Sequence, residues 1–235
     1  MTLGAIVQAR LSSERLPGKV LADVGGRPML AYLLERLERV PGLDAVIVAT
    51  SDHPTDDPVV GFCQGRGVAW HRGSLRDVSD RFRSVLDRFG LDAFVRVSGD
   101  SPLLDPRLVS RAIGVLAAED AEVVTNVLPR TYPPGQSVEV VRSVAYRRAL
   151  RLIDSDQDRE HVTRCIYRHP DRFKLVSFQA ERPYAGVHLA VDEPRDLLRL
   201  RDAVARMRRP QWEYGLDEVV SLYSSAEPGR EPARE

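Results

Sequence analysis

The chain is best read outward from Ile6-Val7-Gln8-Ala9-Arg10-Leu11-Ser12-Ser13-Glu14-Arg15-Leu16-Pro17-Gly18-Lys19. The apolar run from Leu3 to Val7 has the length of a short buried strand, and it feeds a segment holding two arginines, two serines, a Pro-Gly pair and a lysine. Exposed backbone N–H groups in a turn, flanked by Arg and Lys, can neutralise the oxygens of a polyphosphate without bringing an acid close. The stretch therefore reads as a strand running into a phosphate loop. It is not a Walker A loop, because the pattern Gly-x-x-x-x-Gly-Lys-Ser/Thr is absent.

Lysine usage sharpens the reading. Of 34 basic residues only Lys19 and Lys174 are lysines, so the chain writes Arg wherever a generic positive charge suffices. A compact ammonium fits where a guanidinium fork is too wide. On spacing alone, a solvated lysine after a turn is an equally ordinary account of Lys19.

Length and composition set the bounds. A chain of 235 residues with 43% hydrophobic content is long enough for one large domain, or a domain with an elaboration, around an ordinary globular core. The 34 basic and 34 acidic residues cancel, which argues against a general nucleic-acid or membrane-surface binder and makes any anion site local. Cys63 and Cys165 lie far apart, with no Cys-x-x-Cys and no histidine at metal-ligand spacing; they read as buried thiols rather than zinc ligands or a disulfide. No stretch approaches the ~18 apolar residues of a membrane span, and the N-terminus reads as a strand rather than a signal peptide, so a cytoplasmic location is expected.

Taken in order, Val20–Val24 reads as a strand, and Gly25-Gly26-Arg27-Pro28 as a turn. Met29, Leu30, Leu33, Leu34 and Leu37 follow at helical spacing. Ala45–Thr50 is a β-branched run that completes a parallel βαβ unit. A helix over Asp56–Gly67 and a strand at Val68–Trp70 come next. Asp77 or Ser79 is placed to cap a helix running to Phe89. Ala93–Val97 reads as a strand that ends in Ser98-Gly99-Asp100-Ser101. An acid there, with a glycine before it to admit a ligand, is well placed to hold a cation, although an isolated Gly-Asp is more often a turn.

Pro106–Ala118 reads as a helix. From Val123 the pattern changes to two strands joined by the Pro-rich loop around Tyr132-Pro133-Pro134-Gly135, where Gly135-Gln136 is placed to lie against a substrate. Residues 143–153 read as a helix, and a second helix starts at Asp156 and reaches about His169. His161 stands in it among alternating charges, where a salt-linked surface imidazole is the commoner outcome. Phe173–Phe178 and Leu189-Ala190-Val191 read as strands, the latter leading to Asp192 and a helix through Met207. The Pro-, Glu- and Arg-rich tail from Ser224 is expected to be disordered. No internal repeat and no interdomain linker are evident.

Six segments in one order resemble a known family: Gln8-Ala9-Arg10 with Ser13-x-Arg15-Leu16-Pro17-Gly18-Lys19; Gly73-Ser74 to Arg81; Arg96-Val97-Ser98-Gly99-Asp100-Ser101-Pro102; Tyr132-Pro133-x-Gly135 with Glu139; Arg159-Glu160-His161-Val162-Thr163; and Val191-Asp192-Glu193-Pro194-x-Asp196. Together they resemble the cytidylyltransferases of acidic sugars, most closely the SpsF branch named for spore coat polysaccharide biosynthesis. Gln8, where related enzymes have proline, fits that branch.

The resemblance implies an α/β fold of the nucleotide-diphosphosugar-transferase, Rossmann-like type. Its mostly parallel sheet would be flanked by helices, with an antiparallel insertion at about 125–185, all within one domain over 1–223. It implies Mg²⁺ and transfer of CMP from CTP to a sugar hydroxyl with release of pyrophosphate. Arg10, Arg15 and Lys19 would hold the triphosphate beside Ala9, Ser12, Ser13 and Arg96, with Asp100 and Asp192 on magnesium. Catalysis would rest on Lys19, Arg15 and Asp100. Arg72, Ser79 and Asp80 fall where related enzymes read the cytosine and ribose. Tyr132, Gln136, Glu139, Arg159 and His161 are the candidates for the sugar acceptor, Arg130 or Arg159 would suit a carboxylate, and a homodimer is expected. The competing readings are a nucleotidyltransferase for another NTP or a phosphorylated or phosphonate acceptor, a glycosyltransferase of the same fold, and a nucleotide-binding module without activity. A glycosyltransferase would show Asp-x-Asp where this chain has Gly99-Asp100-Ser101.

Overall fold

The computed structural model describes residues 1–224. A seven-stranded sheet organises them, built from β1 (Leu3–Gln8), β4 (Ala45–Ser51), β5 (Ala69–Gly73), β6 (Ala93–Ser98), β7 (Val123–Thr125), β8 (Glu139–Arg142) and β9 (Leu175–Ser177). The strand order is β5-β4-β1-β6-β8-β7-β9. The pairings β1 with β4, β1 with β6, β4 with β5 and β7 with β9 are parallel, and β8 runs against both of its neighbours. A two-residue hairpin, β2 (Asp23–Val24) with β3 (Arg27–Pro28), stands apart.

The central strands are buried on both faces, so their sequences are continuously apolar rather than alternating. Ala5 and Val7 of β1 pack into one layer and Ile6 into the other. The first layer holds α1 (Met29–Leu37), α2 (Asp57–Arg66), α4 (Pro106–Ala118), α8 (Pro194–Ala205) and α9 (Leu216–Ser224). The second holds α3 (Val78–Phe89), α5 (Ser143–Leu150) and α7 (Arg164–Arg168), with α6 (Asp156–Glu160) at its rim. Local signals start and stop the helices. The Asp77 carboxylate accepts the Asp80 N–H at 2.8 Å to cap α3, Asp105 does the same for Arg107 ahead of Pro106, and Gly67 and Gly90 end α2 and α3 in left-handed conformation.

The chain departs from the expected elements at five places. Lys19–Leu21 is a 3₁₀ turn, and of the strand expected over Val20–Val24 only Asp23–Val24 is extended into a pair. The helix expected from Asp156 to His169 breaks after Glu160, because Val162 and Thr163 are drawn into the core and the Thr163 hydroxyl donates to Glu139 at 2.6 Å. Leu189–Val191 forms no strand; the Leu189 and Val191 N–H groups bond singly, to the Pro134 and Asp100 carbonyls. Gly135, expected against a substrate, packs against this segment instead. α9 has no counterpart in the sequence reading, although Leu216, Val219, Val220 and Tyr223 recur at helical spacing. The tail expected to be disordered begins at Ser224, the last residue of α9, and otherwise lies outside the described residues. Both cysteines are free and buried, and burial pushes the Cys63 thiol up to about 11.

Candidate active site

Strands β4 and β5 add successively on one side of β1 and β6 adds on the other, so the strand order reverses between β1 and β6. In an open α/β sheet the crevice at the carboxyl ends of two such strands is where ligands bind. A cleft of about 540 Å³ opens there, lined by Gln8, Arg10, Ser13, Glu14, Arg15, Lys19, Val20, Ser98, Asp100, Glu160, His161 and Asp192. Gly99 keeps the strand ends close: its N–H bonds the Gln8 carbonyl at 2.8 Å, and a Cβ there would lie 3.0 Å from that same oxygen.

The loop after β1 closes on itself. The Gly18 N–H reaches the Leu11 carbonyl at 2.9 Å, and Gly18 has a φ of 75°, so the turn needs a residue at ease in the left-handed region. Asp56 anchors the loop from below. This fully buried carboxylate accepts the Leu11 N–H at 2.7 Å, the Ser51 N–H at 3.2 Å and the Ser51 hydroxyl.

Lys19 joins the two acids. Its ammonium lies 3.3 Å from Asp100 Oδ2, 3.1 Å from Asp192 Oδ1 and 2.7 Å from the Val191 carbonyl, and the residue is 8% exposed. Arg15 also reaches Asp192 Oδ1, at 2.8 Å, and His188 Nε2 lies 3.6 Å from Asp192 Oδ2. Backbone bonds fix this meeting. The Val191 N–H takes the Asp100 carbonyl at 2.8 Å, while Asp196 accepts the Asp192 and Glu193 N–H groups at 3.0 and 2.9 Å as part of the capping box that starts α8.

The remaining predicted residues divide. Arg10 faces Glu160 at 3.6 Å, and His161 lines the same cleft from the break between α6 and α7. Ala9 is buried with its N–H on the Ala49 carbonyl, and Ser12 is exposed on the loop. Arg159 stands beside the rim, half exposed and 3.0 Å from Asp77. Arg72 bonds the Ser51 and His53 carbonyls and Asp57, away from the cleft lining. Ser79 is buried with its hydroxyl on the Asp158 carbonyl, and Asp80 holds Arg83.

Three acceptor candidates are corrected by burial and position. Gln136 is fully buried, its amide oxygen accepting the Asp105 N–H and its amide nitrogen donating to the Leu103 carbonyl. Glu139 is 2% exposed and accepts from Arg96, Thr163 and Tyr167, which also takes Arg96 out of the cleft. Tyr132 lines a separate cavity with Pro134 and Tyr184, where Arg130 also lies. Burial alone would raise the Glu139 carboxyl, but the Arg96 charge and the hydrogen bonds from Thr163, Tyr167 and Arg96 outweigh it and hold it below the usual carboxylate value.

Sequence reasoning missed Asp56 and Arg81. Only the His53-Pro54 and Asp57-Pro58 pairs around Asp56 hinted at a turn. Arg81 is fully buried with Nη1 on the Ser74 carbonyl, and its Nε and Nη2 find no hydrogen-bond partner among the described residues. Burial first, and then the charge of Arg10, pull it down to about 10.

A mostly parallel sheet with a basic and acidic cleft at its switch point is an arrangement suited to a nucleotide. The comparisons give the family. The cytidylyltransferase family model matches residues 4–222. The spore coat polysaccharide biosynthesis protein SpsF of Bacillus subtilis is 32% identical over 204 residues, 81% of each chain. The 3-deoxy-manno-octulosonate cytidylyltransferase of Geobacter sulfurreducens is 38% identical over 121 residues, 52% of this chain and 48% of that protein. A solved cytidylyltransferase from Leptospira borgpetersenii superposes with a TM-score of 0.90 at 25% identity, covering 96% of this chain and 94% of the other. The chain belongs to the cytidylyltransferase family, with the nucleotide-diphosphosugar-transferase fold, and is a nucleotidyltransferase.

Proposed function

We propose that the chain transfers CMP from CTP to a hydroxyl of an acidic sugar, with Mg²⁺ and with release of pyrophosphate, in the making of a surface polysaccharide or glycoconjugate. The observation that carries this reading is the convergence of Asp100 and Asp192 on one cationic point, Lys19 Nζ, in a cleft flanked by Arg10 and Arg15.

The donor set suits magnesium, which takes one or two carboxylates and completes its shell with water and phosphate oxygens. When bound between Asp100 and Asp192, the ion would neutralise phosphate charge and polarise the acceptor hydroxyl. The chain's own residues do the rest. In the transfer, the sugar oxygen bonds to the α-phosphorus, the bond from that phosphorus to pyrophosphate breaks with its electron pair leaving on the pyrophosphate oxygen, and the hydroxyl proton passes to water. Arg10 and Ser13 line the cleft where the triphosphate would lie, and Arg15 and Lys19 would turn from the acids to the pyrophosphate as its charge grows. Glu160 and His161 line the same cleft and are the acceptor-side groups this reading favours, with Arg159 beside it for a carboxylate.

A pyrophosphate-release screen of the four NTPs against acidic and neutral sugars with Mg²⁺ tests the reading. Release with CTP and an acidic sugar is expected; release with no pair overturns it. We also propose a homodimer through the insertion, where Leu128 is 43% exposed and Tyr132, Pro134 and Tyr184 line an open cavity. Light scattering that returns only monomer would count against it.

A further inference from the structure

An ammonium has three hydrogens, and Lys19 spends all three inside the cleft, on Asp100 Oδ2, Asp192 Oδ1 and the Val191 carbonyl. No donor is left over for a phosphate oxygen, so Lys19 must give up one of these three partners before it can hold one, and a full turn toward the phosphates releases both carboxylates. The same two carboxylates are the ones read above as the magnesium ligands, and this inference rests on that reading. A hydrated divalent ion arriving alone meets a cradle already neutralised by Lys19 and, at Asp192, by Arg15 at 2.8 Å. It would have to displace one cation and sit beside another. A triphosphate changes that balance, because it offers both cations new anionic partners and brings a metal already coordinated to its oxygens.

We propose that Lys19 is the resident cation of the Asp100–Asp192 cradle and keeps free divalent metal out until a triphosphate draws it away, so that metal and nucleotide enter together. The choice of lysine follows. A guanidinium is a planar fork, whereas three acceptors around one point suit a compact ammonium, and the chain uses lysine at only one other position, Lys174. The flexible stem lets the same charge serve the carboxylates first and the phosphates later.

Mn²⁺ binding to the nucleotide-free protein, followed by electron paramagnetic resonance, reads this directly. Wild type is expected to take up little free Mn²⁺, and Lys19→Met at least about tenfold more tightly, a gain of about 1.4 kcal/mol, abolished by adding Asp100→Asn. Equal affinity in wild type and Lys19→Met overturns the proposal. If neither binds free Mn²⁺ while both bind Mn²⁺ with CTP in an Asp100-dependent manner, the gating role falls and the metal reading stands. If Asp100→Asn has no effect even with CTP, both fall. A second measurement needs no variant. With ¹⁵N-lysine labelling the two side chains give two ammonium signals, Lys174 serving as the reference. CTP in the presence of EDTA should move the Lys19 signal and Mg²⁺ alone should not; a shift with Mg²⁺ alone at the same concentration overturns the proposal.

Discussion

The Lys19 ammonium and the Asp192 carboxylate meet at 3.1 Å across 173 residues of chain. The loop after the first strand and the turn before α8 are thus one site, and each holds the other's charge in place. Asp100, two residues past the end of β6, closes the group.

The first expectation concerns activity. Asp100→Asn and Lys19→Ala should each lower kcat for CTP by about 10²–10³-fold, the scale of losing one electrostatic contact to a developing charge. Circular dichroism should show both variants folded, since neither side chain lies in the apolar layers. Retention of more than about a tenth of the rate would remove the assigned role.

Glu139 governs stability and its pH dependence. Glu139→Ala strands Arg96 in the sheet and should lower unfolding free energy by about 3–5 kcal/mol, read by urea denaturation at neutral pH. The folded-state carboxyl lies below its ordinary value, so the ionised form is the one that folding favours. Its contribution is complete above about pH 4.3 and is lost as pH falls through the folded value. The stability gap between wild type and Glu139→Gln should therefore be constant from pH 7 to 5 and narrow below 4.

At Gly135 the backbone φ is +93°, and an added Cβ would lie 2.5 Å from Ala190 N and Leu189 C. Gly135→Ala should cost at least about 2 kcal/mol from crowding and strain together. Because that backbone leads to Asp192, CTP binding should weaken in the same variant. An unchanged urea midpoint would contradict the packing.

Asp56 ties the loop to β4. Asp56→Ala leaves the Leu11 and Ser51 donors buried without their acceptor, at about 1–3 kcal/mol for each unsatisfied group. We expect KM for CTP to rise about tenfold, with kcat changing less, because the loop loses its seat while Lys19 and Asp100 remain. Steady-state kinetics over a range of CTP concentrations separates the two constants.

Much of this was legible in the chain. The βαβ order up to Ala118, the cap at Asp77 and the antiparallel pair β7–β8 follow from apolar periodicity and turn chemistry, which act over a few residues. The 156–169 segment was not legible as two helices. Its local pattern is helical throughout, and the break is set by the Thr163 hydroxyl donating to Glu139, which lies on a strand 24 residues earlier. Leu189–Val191 failed for a similar reason: an apolar run marks burial, and whether buried backbone pairs as a strand depends on an open neighbouring edge.

The sequence by itself determined the layered α/β order of the first half and marked Lys19, Asp100 and Asp192 as residues of interest, because side-chain period and residue chemistry are local properties. Only the tertiary structure decided which polar residues face the cleft. Gln136, Glu139 and Arg96 carry the same chemistry as Arg10, Glu160 and His161, and what separates them is burial among partners that sequence spacing does not encode. It also decided that Lys19, which composition marks only as an unusual lysine, stands between Asp100 and Asp192, since that meeting depends on how two distant turns are hydrogen-bonded to one strand end.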